Sequence, residues 1–252
     1  AADQATRQFG VGPGAVRFID GTFAPHAALE ERVARFVGKP AAKIFNSAYT
    51  ANCGLALAIS SATTYWIGDQ LNHNSIIRAM RIAGVPSANK AIYPHNDMAA
   101  LARCLEAVPA DMERVVVIFD GIFSMRGDCA PVDQIVAIAG PCGGRFKEGV
   151  VTVMDDSHGI GAFGPRGRGT ADHFGLEGKI EPGITYYTDA HELIGDAEGG
   201  QHPVGVAGRA VGEDRLALRQ RFQHVAQLEV GIQPGGNVDV VDVVQIGFGI
   251  EP

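Results

Sequence analysis

Apolar positions follow two alternating rhythms along the first three quarters of the chain. In "AALEERVARFVG" (27–38), Leu29, Val33, Phe36 and Val37 recur at the spacing of one helical face. The stretches "NSIIRAMRIAG" (74–84), "DMAALARCLEAV" (97–108) and "VDQIVAIAG" (132–140) repeat that rhythm, and a further helix opens near Ser47–Tyr49. Asp97 stands where a helix N-cap belongs, and Gly140-Pro141 stops the last of these helices. Between them lie short apolar runs that read as strands: "AKIF" (42–45), "TTYWIG" (63–68), "KAIYP" (90–94), "RVVVIFDGI" (114–122) and "GVVTVMD" (149–155). The unbroken run at 114–122 suits a sheet covered on both faces. Strands and helices alternating in units of roughly thirty residues predict an α/β fold, a mainly parallel sheet with helices on both faces.

In such a sheet ligands bind beyond the carboxyl ends of the strands. Two polar clusters follow strands directly, "FDGIFSMRGD" (119–128) and "DDSHGIGAFG" (155–164), and so belong to that edge. The second is the more telling, because a buried strand there runs straight into two aspartates, a serine, a histidine and several glycines.

Composition narrows the classes. A chain of 252 residues, 46% hydrophobic and 19% charged, is long enough for one large domain or two small ones. No apolar run reaches the ~18–20 residues that span a bilayer, and no signal peptide is visible. A net charge of −7 without a lysine/arginine cluster argues against nucleic-acid binding. Cys53, Cys104, Cys129 and Cys142 lack CxxC or metal-finger spacing and fit free thiols in a reducing compartment, hence a cytoplasmic location. The charge is unevenly spread: from Asp189 onward five Asp and five Glu face four Arg and no Lys, a net of −6. That stretch also lacks Ser, Thr, Tyr, Cys, Met and Trp. The break sets the expected domain division, 1–188 and a divergent segment at 189–252.

The motifs taken singly allow several readings. "GVGPG" (10–14) has no strand before it and no helix opening after it, so it reads as a glycine-permitted turn rather than a dinucleotide loop. "DDSH" (155–158) lacks the HxH or HExxH partners of a metal centre. Neither Ser157 nor Ser124 lies in GxSxG, which argues against a hydrolase nucleophile. An N-capping aspartate beside a solvated histidine is the plain alternative for 155–158.

Taken in order, however, six blocks form a set. They are residues 7–38 beginning "RQFGVGPGAVRFIDGT", "FNSAYTANCGLALA" (45–58), "DQLNHNSIIRAMRIAG" (69–84), "YPHNDMAALARCL" (93–105), "DGIFSMRGDCAPV" (120–132) and "DDSHGIGAFGPRGRGT" (155–170). Over about residues 7–178 this set resembles the α-oxoamine synthases, the acyltransferases of the fold-type-I pyridoxal-phosphate (PLP) class. They include aminoketobutyrate ligase, aminooxononanoate synthase, 5-aminolevulinate synthase and serine palmitoyltransferase. The resemblance implies a PLP-binding large domain over 1–188, truncated or divergent at both ends relative to the family.

It also implies roles. Ser47, Ala48 and Tyr49 of "SAYTAN" match the block that holds the cofactor phosphate on amides at a helix N-terminus, with Ala48 replacing the family's glycine. His73 of "LNHNS" matches the histidine that stacks on the pyridine ring. Asp155 matches the aspartate that pairs with the pyridine nitrogen and keeps the ring an electron sink. His158 matches the histidine at the phenolic oxygen, and Ser124 the serine near the ring. His73, His158 and Asp155 are thus the implied catalytic residues. The implied activity condenses a small amino acid with an acyl-CoA and releases carbon dioxide. The implied assembly is a homodimer with the site at the subunit interface.

One implied residue is missing. Aligning Gly195 and Gly199-Gly200 of "ITYYTDAHELIGDAEGG" (184–200) with the family's glycines puts Glu192 where the Schiff-base lysine belongs and Asp189 where a threonine touches the phosphate. A slip of one residue offers His191 instead. The five lysines, Lys39, Lys43, Lys90, Lys147 and Lys179, all lie outside the motif. Three explanations stand side by side: a synthase start joined to a divergent end, a lysine-less non-catalytic partner or scaffold of such a synthase, or a binding protein that kept the architecture without the cofactor.

Overall fold

Along Arg114–Asp120 successive side chains point to opposite sides, as in any strand. Here both sides are dry. Val115, Val117 and Phe119 join a core with Leu101, Leu105, Val132 and Ile135, whereas Val116 and Ile118 join a second one with Leu55, Trp66, Ile76 and Met80. The apolar run therefore forms the middle of a sandwich of helices, sheet and helices. A computed structural model describes this chain at residues 2–12, 14–45, 47–176 and, as backbone, 183–186.

In chain order the elements are α1 (Ala2–Phe9), α2 (Ala24–Val37), α3 (Ala48–Ile59), β1 (Thr64–Asp69), α4 (Asn74–Ile82), β2 (Lys90–Tyr93), α5 (Met98–Glu106) and β3 (Arg114–Asp120). A short antiparallel pair follows, β4 (Ile122–Phe123) and β5 (Asp128–Cys129), then α6 (Val132–Ala139), β6 (Val150–Asp155), α7 (Thr170–His173) and β7 (Gly183–Tyr186). The main sheet has the order β2-β1-β3-β6-β7, and every neighbouring pair is parallel. The α/β architecture and its parallel sheet agree with the alternating pattern of the sequence. After β1 the chain steps outward to β2, then returns to lay β3 on the other side of β1. That reversal opens a crevice at the carboxyl ends of β1 and β3.

The helix signals hold where they rest on caps. Asp97 accepts the amide of Ala100 at 2.8 Å and starts α5, and Gly38 closes α2 in the left-handed conformation. Gly10, Gly12 and Gly14 have φ of 78°, 71° and 66°, so "GVGPG" is a turn that needs glycine.

One expectation is corrected. Residues 42–45 form no strand, because side chains occupy the backbone groups a ladder would use. The Ile44 amide donates to Glu30 Oε1 at 3.1 Å, and its carbonyl accepts from Arg17 Nη1 at 3.1 Å. The buried stripe of α2 is Glu30, Ala34 and Val37, while Leu29, Val33 and Phe36 are only half-buried. Glu30 goes inside because it is paired. Burial raises its pKa, but hydrogen bonds from Arg17, Ile44 and Lys43 outweigh that and leave it below the usual range. Periodicity reads apolar faces and cannot anticipate a buried carboxylate with partners from two other segments.

Candidate active site

Three adjacent strands end in aspartate: Asp69 on β1, Asp120 on β3 and Asp155 on β6. Asp120 and Asp155 are direct register partners, and all three are at most 6% exposed. Burying like charges side by side is costly unless donors surround them or one keeps its proton. Both devices are used.

Asp155 is surrounded. Its Oδ1 accepts the amide of Ser157 at 3.2 Å and the Ser157 hydroxyl at 2.5 Å, and its Oδ2 accepts Asn52 Nδ2 at 3.1 Å. Asp120 keeps its proton more readily. Burial first, and then the carboxylate of Asp155, hold it far above the usual carboxylate range, against the opposing pull of the His73 amide and of His158. Its Oδ2 accepts that amide at 2.7 Å, and its own amide donates to Asn72 Oδ1 at 3.2 Å.

The contacts of Asn52 bring α3 to this edge. From the second turn of α3 it donates to Asp155 Oδ2 and also to Ser75 Oγ at 2.8 Å. The Ser75 hydroxyl lies 2.7 Å from His73 Nδ1, which also accepts the Ser75 amide at 3.3 Å. A chain of contacts thus runs from Asp155 through Asn52 and Ser75 to His73. It fixes the orientation of the exposed His73 ring through Nδ1. Ser47 caps α3, accepting the amide of Thr50 at 3.1 Å, so the amides of Ala48 and Tyr49 have no acceptor inside the helix. These free amides and the positive end of the helix dipole suit an anion.

The two aspartates of "DDSH" have separate tasks. Asp156 is fully buried and accepts the Thr170 amide at 2.6 Å and the Thr170 hydroxyl at 2.5 Å. Burial pushes it up to about 7, against the lowering effect of those two bonds. A Cβ at Gly159 would overlap its carboxylate, so the loop after β6 can close on Asp156 only with glycine there. Gly159→Ala is expected to lower stability by about 1–3 kcal/mol through this overlap, read as a reduced denaturant midpoint at unchanged m-value. Asp156 therefore anchors the loop that presents His158. The half-buried His158 is near enough to lower the pKa of both Asp120 and Asp156.

Of the residues singled out from the sequence, Asp155, His158 and His73 meet at one sheet edge, with Ser47, Ala48 and Tyr49 on the helix that Asn52 ties to it. Ser124 is exposed on the β4–β5 turn, and no hydrogen bond links it to the aspartates. Glu192 lies outside the described residues. Asn52, Asn72, Ser75 and Asp120 were legible only as members of motif blocks, because each acts through a partner remote in the chain. Among the described residues no group of His, Cys, Asp and Glu forms a metal site, and no helix is long and apolar enough to cross a membrane.

Known proteins resemble this chain in sequence and fold. The family model for aminotransferase class I and II matches residues 4–190. An 8-amino-7-oxononanoate synthase of Alkaliphilus metalliredigens is 39% identical over 202 residues, 80% of this chain and 49% of that protein. One of Geobacter sulfurreducens is 41% identical over 181 residues, 72% of this chain and 44% of that protein. Among solved structures, a lysine-to-alanine variant of serine palmitoyltransferase from S. paucimobilis with a bound PLP–myriocin aldimine superposes with a TM-score of 0.66 at 30% identity, covering 74% of this chain and 44% of that one. The Sphingomonas wittichii serine palmitoyltransferase gives 0.66 at 29% identity, with the same coverage. The chain spans about half the length of the curated relatives it matches. The match is long, and it runs through each strand end that carries the site: the chain belongs to the aminotransferase class I and II family and, over this part of its length, to the α-oxoamine synthases.

Proposed function

We propose that this chain binds pyridoxal phosphate at the edge formed by Asp155, His158, His73 and the start of α3, with residues 1–188 as the cofactor-binding unit. The observation that carries the reading is an unfilled acceptor position. A carboxylate offers about four lone-pair sites, and Asp155 receives three donors. Beside it, Asn52 Oδ1 is buried with no hydrogen-bond partner. A buried acceptor pair left open in this way fits a ring N–H. At the other end, the amides of Ala48 and Tyr49 fit a phosphate. When bound, the cofactor supplies an electron sink for a carbanion next to the amino group of a substrate.

The protein's own contribution is positional. Asp155 would hold a proton on the ring nitrogen by its charge, His73 would cover one face of the ring, and His158 would donate to the phenolic oxygen. Ser124 would add a contact from the β4–β5 turn. The reaction best supported by the family is condensation of a small amino acid with an acyl-CoA, with loss of carbon dioxide, in a cytoplasmic homodimer. Glu192 favours a second reading. With a carboxylate where the covalent lysine belongs, the chain acts as a non-catalytic partner or scaffold of a synthase.

A visible spectrum on adding PLP, followed by borohydride reduction and peptide mapping, separates these. The expected result is saturable binding with no cofactor trapped on a lysine, which supports the partner reading. Cofactor trapped on one lysine identifies a substitute for Glu192 and makes acyl-CoA turnover the next assay. Absence of binding refutes the cofactor reading.

A further inference from the structure

The block "YPHND" (93–97) has no role in the site described above, yet it contains a histidine set between two carboxylates. His95 Nδ1 lies 3.0 Å from Asp69 Oδ1, and its Nε2 lies 2.8 Å from Asp128 Oδ2. Asp69 is the last residue of β1, and Asp128 opens β5. One ring thus bridges the central sheet and the small hairpin that leaves Asp120.

The backbone is set up for this bridge. Asn96 has φ of 55°, the only non-glycine residue with positive φ among the described residues. That conformation is uncommon outside glycine, though asparagine tolerates it best. It lets the Asn96 amide reach Asp69 Oδ2 at 2.9 Å, while Leu71 donates its amide to Asp69 Oδ1 at 2.8 Å. The Phe123 ring stands edge-on to His95 with centroids 4.4 Å apart, and Phe123 is buried. The hairpin therefore has an apolar anchor at β4 and a charged one at β5. Ser124 lies between them, with the exposed Met125 and Arg126.

We propose that His95 is a positioning residue that latches the β4–β5 turn, with Ser124, to the carboxyl end of β1 through Asp69 and Asp128, and that loss of its proton releases the turn. Only the doubly protonated ring can donate to both carboxylates; the neutral ring has one N–H and must turn a lone pair toward the other oxygen. The surroundings pull on that charge in opposite directions. Burial works against the charge on His95, but the hydrogen bonds to Asp128 and Asp69 prevail and raise its pKa. Arg126 Nε lies 3.3 Å from the same Asp128 oxygen, so Asp128 keeps a cation when His95 loses its charge. Tyr93, at the end of β2, is raised by burial and by Asp69 and stays neutral. Cys129, next to Asp128, is pushed up to about 12 and stays a thiol. Thus His95, held above the usual imidazole range by its two carboxylate partners, is the ring whose charge the latch depends on.

The latch is complete at low pH and opens as pH rises through the raised pKa of His95. It rests on the cofactor reading only for the use made of Ser124, and the two are tested apart. Amide hydrogen exchange of the full chain, without PLP, is followed over a pH series and corrected for intrinsic exchange rates. Peptides covering 122–129 are expected to lose protection as His95 deprotonates, while β3 and β6 keep theirs. His95→Gln is expected to exchange about tenfold faster in 122–129 at low pH, with no further pH dependence, since a hydrogen bond to a charged group is lost. Asp128→Asn, at a site partly open to solvent, should reproduce this and serves if His95→Gln fails to fold. Protection that is flat with pH in the parent protein, or unchanged in Asp128→Asn, would overturn the latch whatever the chain does with PLP.

Discussion

Asp155→Asn is expected to weaken PLP binding by about 100-fold while leaving the fold intact. The magnitude corresponds to about 3 kcal/mol, the upper end for a hydrogen bond to a charged group in a buried setting. The fold should tolerate the change because the new amide has partners. Its oxygen can accept from Ser157, and its nitrogen can donate to Asn52 Oδ1, now without a partner, once the Asn52 amide turns over. The same substitution removes the charge beside Asp120 and should bring the pKa of Asp120 down, since that charge is the second cause of its elevation. Binding and stability should then move in opposite directions at neutral pH: weaker cofactor affinity, higher melting temperature. A cofactor titration and a thermal melt on the same sample check both. An unchanged PLP affinity would remove Asp155 from the ring-nitrogen role.

The second large effect is on stability against pH. Burial holds Asp156 at about 7, and Asp120 also lies far above the usual carboxylate range. Between the unfolded and folded pKa values the native state keeps a proton that the unfolded chain has released. Raising the pH therefore favours unfolding, and the stability present at acid pH is lost as pH rises through the folded pKa values. The slope is at most about 1.4 kcal/mol per pH unit for each such group, acting from the unfolded carboxylate value of about 4 up to the folded values of about 7 for Asp156 and about 8 for Asp120. Asp156→Asn should flatten this loss by one group. Asparagine still accepts the Thr170 amide and can donate to the Thr170 hydroxyl, so the loop anchor survives. The melting temperatures of the two proteins should diverge between about pH 4 and about pH 7, by about 2–4 °C for each kcal/mol, and hold a constant separation above it. Parallel curves would show that Asp156 does not titrate in this range.

Both effects arise from a cluster that was only half visible in the sequence. The strand ending at Asp155 was readable because a nearly continuous apolar run stops there, and His73 and His158 because their motif blocks keep a recognisable order. Asp120 was readable only as a member of the polar block that follows the apolar run beginning at Arg114. Its coupling to Asp155 was not, since that depends on β3 and β6 being neighbours in register. "DDSH" shows the same limit. Two adjacent aspartates look equivalent in the chain, yet opposite sides of one backbone send Asp155 to the open edge and Asp156 under the loop at Thr170. Asn52 and Ser75 are ordinary helix residues until α3 and α4 pack and place Asn52 within reach of Asp155. Glu30 reverses the pattern, a charged residue on a helix that turned inward because Arg17 and Lys43 met it there.

Local chemistry, then, was determined by the sequence alone. Side-chain periodicity sets helix against strand, glycine sets the turns at 10–14, and Asp97 starts its helix, because each depends on atoms a few residues apart. The α/β alternation and the parallel sheet follow from the same short-range information. What the tertiary structure decided is which carboxylates share a desolvated space, which of them receives donors and which keeps a proton. Those outcomes depend on distances between strands that the chain closes only on folding, where removal of water makes a contact of 3 Å either strongly favourable or strongly costly.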